Sequence, residues 1–582
     1  MKKAIPFIIV IALILCIGGG AAWKFFFSKY TPTGEKLDYA SALGLEKDEY
    51  SVTLNHELLK DKKAVNMDGR VYLDVDLVTD MINTRFYHDS SENLCMYSNA
   101  SQLMIFTPDQ QKYTVRTWDK TGWKDSADGD EGYAVVRSKG GSLYVAADYI
   151  TANTRMDYGA YTDGGNNRLN IQTSWGEEEK VSTQKKTPVR YKGGIKGQVL
   201  RETEPGETMT VLAAYDDWYN VATDDGYIGW VSRKAMGTPE KEQAKAPDFE
   251  EAVYQNIHRD HKINMTWHQV MNKDSNDSVK KVIKASPGIN VLSPTWFYLS
   301  DTEGGVASTA GRDYVSVCHK KGIEVWALFS NEFPSGTDRV FDAAKTDQVL
   351  GSTSKRAKVI ENIMTYAGDS GIDGINLDFE LISQEGADDY VEFVRELSVA
   401  CRANGLVFSV DNYVPVYTSY YNRREQGIVA DYVVTMCYDE TPAGSDTPGP
   451  VASENFFTTG VTDTLKLVDK SKVIAGIPFF TRVWSTSKDG KVTSFACGMD
   501  EAQSYLDKHG VKAQTQESTG LEYGSYTSDV DGAAYEIWLQ NESSVKNEMN
   551  VVKENDLAGC ASWKAGFESG KTIWKIIAHR LK

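Results

Sequence analysis

The sequence predicts a multidomain chain that ends in a (β/α)8 barrel. Residues 251–582 would form the barrel, with an α+β insertion before its last strand, and smaller β-rich modules precede it. Three observations carry this reading. A chain of 582 residues is too long for one hydrophobic core. From about residue 255 onward, apolar strand-like runs alternate with helical patterns, the signature of a parallel sheet covered by helices. One of those runs ends in clustered carboxylates, and barrels of this kind place their chemistry at the C-terminal ends of their strands.

The eight strands are expected at Ile263–Trp267, Ile289–Phe297, Ile323–Phe329, Gly374–Glu380, Val407–Asn412, Tyr432–Tyr438, Val473–Phe479 and Ala558–Trp563. Between the fourth and fifth, Tyr390, Phe393, Val394, Leu397 and Cys401 recur at helical spacing, as a crossover helix requires. The longest gap precedes the eighth strand, so 495–539 is expected to hold the insertion.

The fourth run reads Gly371-Ile372-Asp373-Gly374-Ile375-Asn376-Leu377-Asp378-Phe379-Glu380. Strand side chains alternate, so Asn376, Asp378 and Glu380 share a face, with the two acids roughly 6–7 Å apart along the chain. Two carboxyls that close do not both ionise freely, and one is expected to stay protonated near neutral pH, as a general acid must.

Composition narrows the function classes. A formal net charge of -18 argues against nucleic-acid binding. The seven cysteines are scattered without a CxxC pair, which fits neither a disulfide framework nor a zinc site, and His258-x-x-His261 is the closest histidine pair, on a polar stretch. No metal or cofactor is expected. Lys2 and Lys3 precede an apolar run from Ala4 to Ala22 followed by Trp23, Phe25, Phe26 and Phe27. Residues 1–30 are therefore expected to be a transmembrane helix in the cytoplasmic membrane, with the rest of the chain outside the cell. The alternative is a signal peptide cleaved after Gly20-x-Ala22, leaving a secreted protein.

Residues 38–180 contain a repeat. Gly69-Arg70-Val71-Tyr72-Leu73 followed by Asp76-Leu77-Val78-Thr79 matches Gly141-Ser142-Leu143-Tyr144-Val145 followed by Asp148-Tyr149-Ile150-Thr151, and both copies reach Asn-Thr-Arg. This implies a duplicated α+β module. It resembles the copper amine oxidase N-terminal-like domain, for which a stalk or wall-binding role is expected and no metal site. Residues 182–236 show short strands broken by Gly, Asp and Pro turns. They resemble a bacterial SH3 domain, whose Trp218, Tyr219 and Trp230 either line a groove for cell-wall peptide or glycan or fill a small core. A polar linker is expected at 237–250.

Four separated motifs in the barrel resemble glycoside hydrolase family 18. They are Asp373-Gly374-x-x-x-Asp378-x-Glu380, Met436-x-Tyr438-Asp439, the seventh-strand run from Gly476 to Trp484, and Ala561-Ser562-Trp563. Asn376, where chitinases usually carry Asp, is closer to the spore-cortex N-acetylglucosaminidase branch. The resemblance implies a TIM barrel that hydrolyses N-acetylated glycans with help from the substrate's own acetamido group. Glu380 would be the acid and base, Asp378 would orient the acetamido N–H, and Tyr438 would bind its carbonyl oxygen. Trp563 would floor the sugar subsite, Met436 and Asp439 would help bind substrate, and Asn376 would hold Asp378 from behind. The substrate class would be peptidoglycan. Chitin or N-linked glycans are the alternative, as is a glycan-binding protein without turnover.

Overall fold

The computed structural model describes Lys24 and residues 28–582. The expected membrane-spanning run therefore lies outside the described residues. Among the described residues no helix is long and apolar enough to cross a membrane.

Eight parallel strands close on themselves in the C-terminal part: β1 (Ile263–His268), β2 (Val291–Leu299), β3 (Glu324–Ser330), β4 (Gly374–Asp378), β5 (Val407–Tyr413), β6 (Tyr432–Met436), β7 (Val473–Pro478) and β8 (Gly559–Trp563). Each pairs with the next, and β8 returns to β1, so the barrel has no open edge. The strand positions agree with the expected ones to within a few residues, because strands buried on both faces read as apolar runs.

Alternation divides each strand between two layers. On β4, Ile375 and Leu377 point outward into the main core beneath the helices, which leaves Gly374, Asn376 and Asp378 facing the interior. The interior is filled by Met265, Trp267, Trp326, Leu328, Tyr432, Val434 and Ile474. Two 18-residue helices flank β4, α1 (Thr353–Ser370) and α2 (Ala387–Asn404). Both end on a left-handed glycine, Gly371 and Gly405, which stops the helix and turns the chain toward the next strand.

The insertion is larger than expected. It is a five-stranded antiparallel sheet that begins at Phe480–Thr486, directly after β7, and takes in Val492–Gly498, Gln514–Gln516, Leu521–Thr527 and Ala534–Leu539. The seventh strand ends at Pro478, within one residue of the expected end, a second strand starts at Phe480, and Trp484 is a core residue of the insertion.

The expected crossover helix α2 is not amphipathic in the ordinary sense, since Glu392, Arg395 and Glu396 on its polar face are buried. A meander spanning 86–130 covers it, and residues 87–106 and 113–129 cluster with the barrel. Arg356 of α1 binds Glu396 at 2.9 Å and Tyr87 Oη at 3.2 Å, and Tyr87 in turn donates to Asp389 at 2.6 Å. Arg395 bridges Glu392 and Glu425, both at 3.0 Å. Asp89 Oδ2 accepts from the backbone N–H of Thr353 at 2.7 Å, placing an anion at the N-terminus of α1. The meander was expected to belong wholly to the front module. The charged side chains of the helix face are its docking surface.

The duplicated motif does pair with itself. Residues 70–74 and 142–146 lie antiparallel with Leu73 opposite Val145, and each strand runs into a short helical segment. In the SH3-like sheet, Glu240–Gln243 pairs with Glu177–Lys180, so the expected linker contributes a strand, with Lys241 bound to Glu177 at 2.6 Å. Tyr219 fills the core of that sheet, while half-buried Trp230 packs beside exposed Tyr215 with ring centroids 5.1 Å apart.

The Arg356→Met variant strands Glu396 without its cation and is expected to lose about 3–5 kcal/mol in urea denaturation. The double variant Arg356→Met, Glu396→Leu should recover most of that loss, because the pair's net worth is far smaller than the cost of breaking it.

Candidate active site

β4 delivers the expected pair to the strands' C-terminal end. Asp378 closes the strand at 7 % exposure, Phe379 turns outward into the core, and Glu380 is half-buried. Glu380 is fixed by its backbone as well as by its side chain. Its N–H donates to Asn331 Oδ1 and its carbonyl accepts from Asn331 Nδ2, both at 2.8 Å. Tyr413, the last residue of β5, donates its hydroxyl to Glu380 Oε2.

Burial pushes the Glu380 carboxyl up to about 7; the Tyr413 hydrogen bond opposes this, and the charges of Asp439 and Glu332 add to it. Asp378 is held well above the carboxylate range by burial first, then by Glu380, Asp411 and Glu332. The site therefore keeps protons on buried carboxyls near neutral pH, the state in which a carboxylic acid can donate.

Tyr438 is buried, and its phenol is pushed up by desolvation and by the surrounding acids. It shares an apolar cluster with Met436, Val451, Ala452 and Phe480, against which Tyr413 and Trp563 pack. Trp563 also lies 5.8 Å from Trp267, ring centre to ring centre. Asp439 has a left-handed backbone, φ 58°, and binds Arg482 at 2.8 Å.

Asn376 is not where the sequence reading puts it. It is fully buried, and its hydrogen bonds go to residues other than Asp378. Its Oδ1 accepts from Trp267 Nε1 at 2.8 Å and Ser293 Oγ at 3.1 Å, and its Nδ2 donates to Ser409 Oγ at 3.0 Å and Asp411 Oδ1 at 2.6 Å. The alternation that gives Asn376 and Asp378 one face also sets them at different depths, so the amide belongs to the barrel's interior layer and is not a substrate ligand. Asp373 lies at the opposite end of the strand, accepting from Val325 N–H and contacting His319 Nε2, both at 2.8 Å. Glu440 accepts from Ser453 N–H at 2.6 Å, an ordinary loop contact. Asn331, Asp411 and the role of Tyr413 went unread. Each is a polar residue at or near the end of a barrel strand, which is the available signal. Among the described residues no group of three His, Cys, Asp or Glu side chains is arranged to hold a metal.

Comparison with known proteins matches residues 341–568 to the Glycosyl hydrolases family 18 model and 186–236 to the Bacterial SH3 domain model. The barrel carries a family 18 domain. The chain is accordingly a glycoside hydrolase family enzyme with a bacterial SH3 domain in front. It is 27 % identical over 284 residues to the uncharacterized glycosylase YvbX of Bacillus subtilis (strain 168), covering 48 % of this chain and 80 % of the relative. It is 23 % identical over 250 residues to the cortical fragment-lytic enzyme of Bacillus anthracis, covering 41 % and 56 %. The chain thus spans only about half the length of that second relative. A chitinase structure from Chromobacterium violaceum ATCC 12472 superposes with a TM-score of 0.49 at 21 % identity, covering 55 % of this chain and 99 % of the other.

If Glu380 donates the reaction's proton, activity falls as pH rises through its ionisation at about 7. Tyr413→Phe removes the hydrogen bond that favours the anion, so the alkaline limb of the kcat profile should move to higher pH. A pH–rate series on both proteins checks the direction.

Proposed function

We propose that this enzyme is an exported, retaining β-N-acetylglucosaminidase acting on peptidoglycan glycan. The observation that carries the reading is a half-buried Glu380, raised to about 7, beside a second carboxyl and two tyrosines at the mouth of the barrel. Glu380 protonates the glycosidic oxygen while the substrate's acetamido oxygen attacks C1 and the bond to the leaving sugar breaks. Asp378 accepts from the acetamido N–H and stabilises the positive charge of the resulting oxazolinium. Tyr438 donates to the acetamido oxygen and holds it in line with C1. Trp563 and Met436 supply apolar surface beneath the sugar, and Asp439, oriented by Arg482, accepts from a hydroxyl. Glu380, now a carboxylate, takes a proton from water, whose oxygen bonds to C1 on the face that the leaving group occupied as the bond from C1 to the oxazolinium oxygen breaks and the acetamido group is restored. The product keeps the β configuration.

Peptidoglycan is favoured over chitin by the SH3 domain and by the relatives named for cortical lysis. In this reading residues 1–30 anchor the enzyme outside the cytoplasmic membrane. The module at 38–180, copper amine oxidase N-terminal-like without metal, serves as spacer or wall-binding surface.

The test incubates the chain without its first 30 residues with spore cortex, vegetative wall and chitin oligosaccharides, and identifies new reducing ends by mass spectrometry. N-acetylglucosamine ends from cortex or wall are expected; cleavage of chitin alone assigns the chitinase alternative. Proton NMR should show β product first, and initial α product excludes the neighbouring-group mechanism. Glu380→Gln should lower kcat by about 10²–10⁴-fold with glycan affinity retained, and a de-N-acetylated glycan should not be cut.

A further inference from the structure

Beside the catalytic pair stands a third interior carboxyl that the mechanism above does not use. On β5, Phe408 and Val410 pack outward into the main core, so Ser409 and Asp411 face the barrel interior. The register sets Asn376 opposite Ser409 and Leu377 opposite Val410. One step further along these parallel strands, Asp378 and Asp411 stand side by side on the same face, at the strand spacing of about 4.8 Å. Asp411 is 1 % exposed.

The hydrogen bonds of this pair are incomplete in a complementary way. Asp411 Oδ1 accepts from Asn376 Nδ2 at 2.6 Å, whereas Asp411 Oδ2 and Asp378 Oδ1 are both shut off from solvent with no partner. Two bare carboxylates cannot satisfy each other, because both only accept. A single proton makes one of them a donor. The charges acting on the pair do not supply an alternative: Glu380 and Glu332 raise Asp378, Glu380 raises Asp411, and the one indole N–H nearby, that of Trp267, is given to Asn376 Oδ1. The phenols of Tyr390, Tyr413 and Tyr438 face the same acids, and Arg423 acts on Tyr390.

We propose that Asp411 is a positioning residue that carries a proton in the resting enzyme and donates it to Asp378 Oδ1. This rests on the acetamido role given to Asp378 above. The proton on Asp411 leaves Asp378 as the anion, with Oδ2 available for the substrate N–H, and prevents a buried dianion from forming behind Glu380. Burial and the neighbouring acids hold both carboxyls well above the usual range, in keeping with a proton retained at neutral pH. Asn376, which donates to Asp411 Oδ1, determines which oxygen of Asp411 carries that proton.

The first arm of the test needs no substrate. An infrared difference spectrum of wild type against Asp411→Asn at pH 7 should show loss of a protonated-carboxyl band; loss of an ionised-carboxylate band instead overturns the proposal. The second arm compares Asp411→Asn with Asp411→Leu on the substrate found above. An amide at 411 can donate in place of the acid, so Asp411→Asn should keep kcat within about tenfold. Asp411→Leu, with no donor, should lose kcat on the order of 10²-fold with KM little changed. Wild-type kcat in Asp411→Leu also overturns it. A failure of the wild type to cleave any N-acetylated glycan sinks the hydrolase reading and leaves the infrared result standing.

Discussion

The carboxyls of Asp378, Glu380 and Asp411 crowd the ends of two adjacent strands, and their side-chain hydrogen-bond partners are an amide and a phenol rather than a cation. Such a cluster is costly, because each charge would have to form out of water and beside its neighbours. The molecule meets that cost by keeping protons on the acids. A protonated acid in a dry site is what the proposed glycosidic cleavage requires, so the same arrangement suits that reaction. Met436, Tyr438, Phe480 and Trp563 belong to the same device, since their burial lowers the local polarity that sets the protonation.

A cluster of this kind needs a rigid frame. β4 is only five residues long, and it is held by strands on either side and by α1 and α2 at its ends. The polar faces of those helices do not meet water. They are locked by Arg356, Glu396, Arg395 and Glu392 against a meander that leaves the front module and packs with the barrel. Asn331 then ties the end of β3 to the backbone of Glu380 by two hydrogen bonds, which fix that residue's main chain whatever its side-chain rotamer. Frame and site are continuous through β4, and a change in the helix contacts acts on the strand that carries the acids.

Strand periodicity and apolar content placed the eight barrel strands, and the residues ending them pointed to Asp378, Glu380, Tyr438 and Trp563. The errors have a common source. The role given to Asn376 failed because alternation tells which face a side chain takes, not its depth along the barrel axis. The insertion was expected to start near residue 495 because the strand that opens it, Phe480–Thr486, follows the seventh barrel strand after a single residue and carries no turn signal of its own. The cover over α2 is not legible in the sequence, because Glu392, Arg395 and Glu396 look the same whether water or another segment meets them.

What the sequence by itself determined is the class of the barrel, the order of its strands and the pair of acids that closes the fourth, because these follow from local periodicity and residue type. Tertiary structure alone decided that Asp411 stands beside Asp378, that Tyr413 and Asn331 hold Glu380, and that a meander beginning near residue 86 covers helices beyond residue 350. Those pairings join residues tens to hundreds of positions apart, and their energies depend on register and burial, which exist only once the barrel has closed.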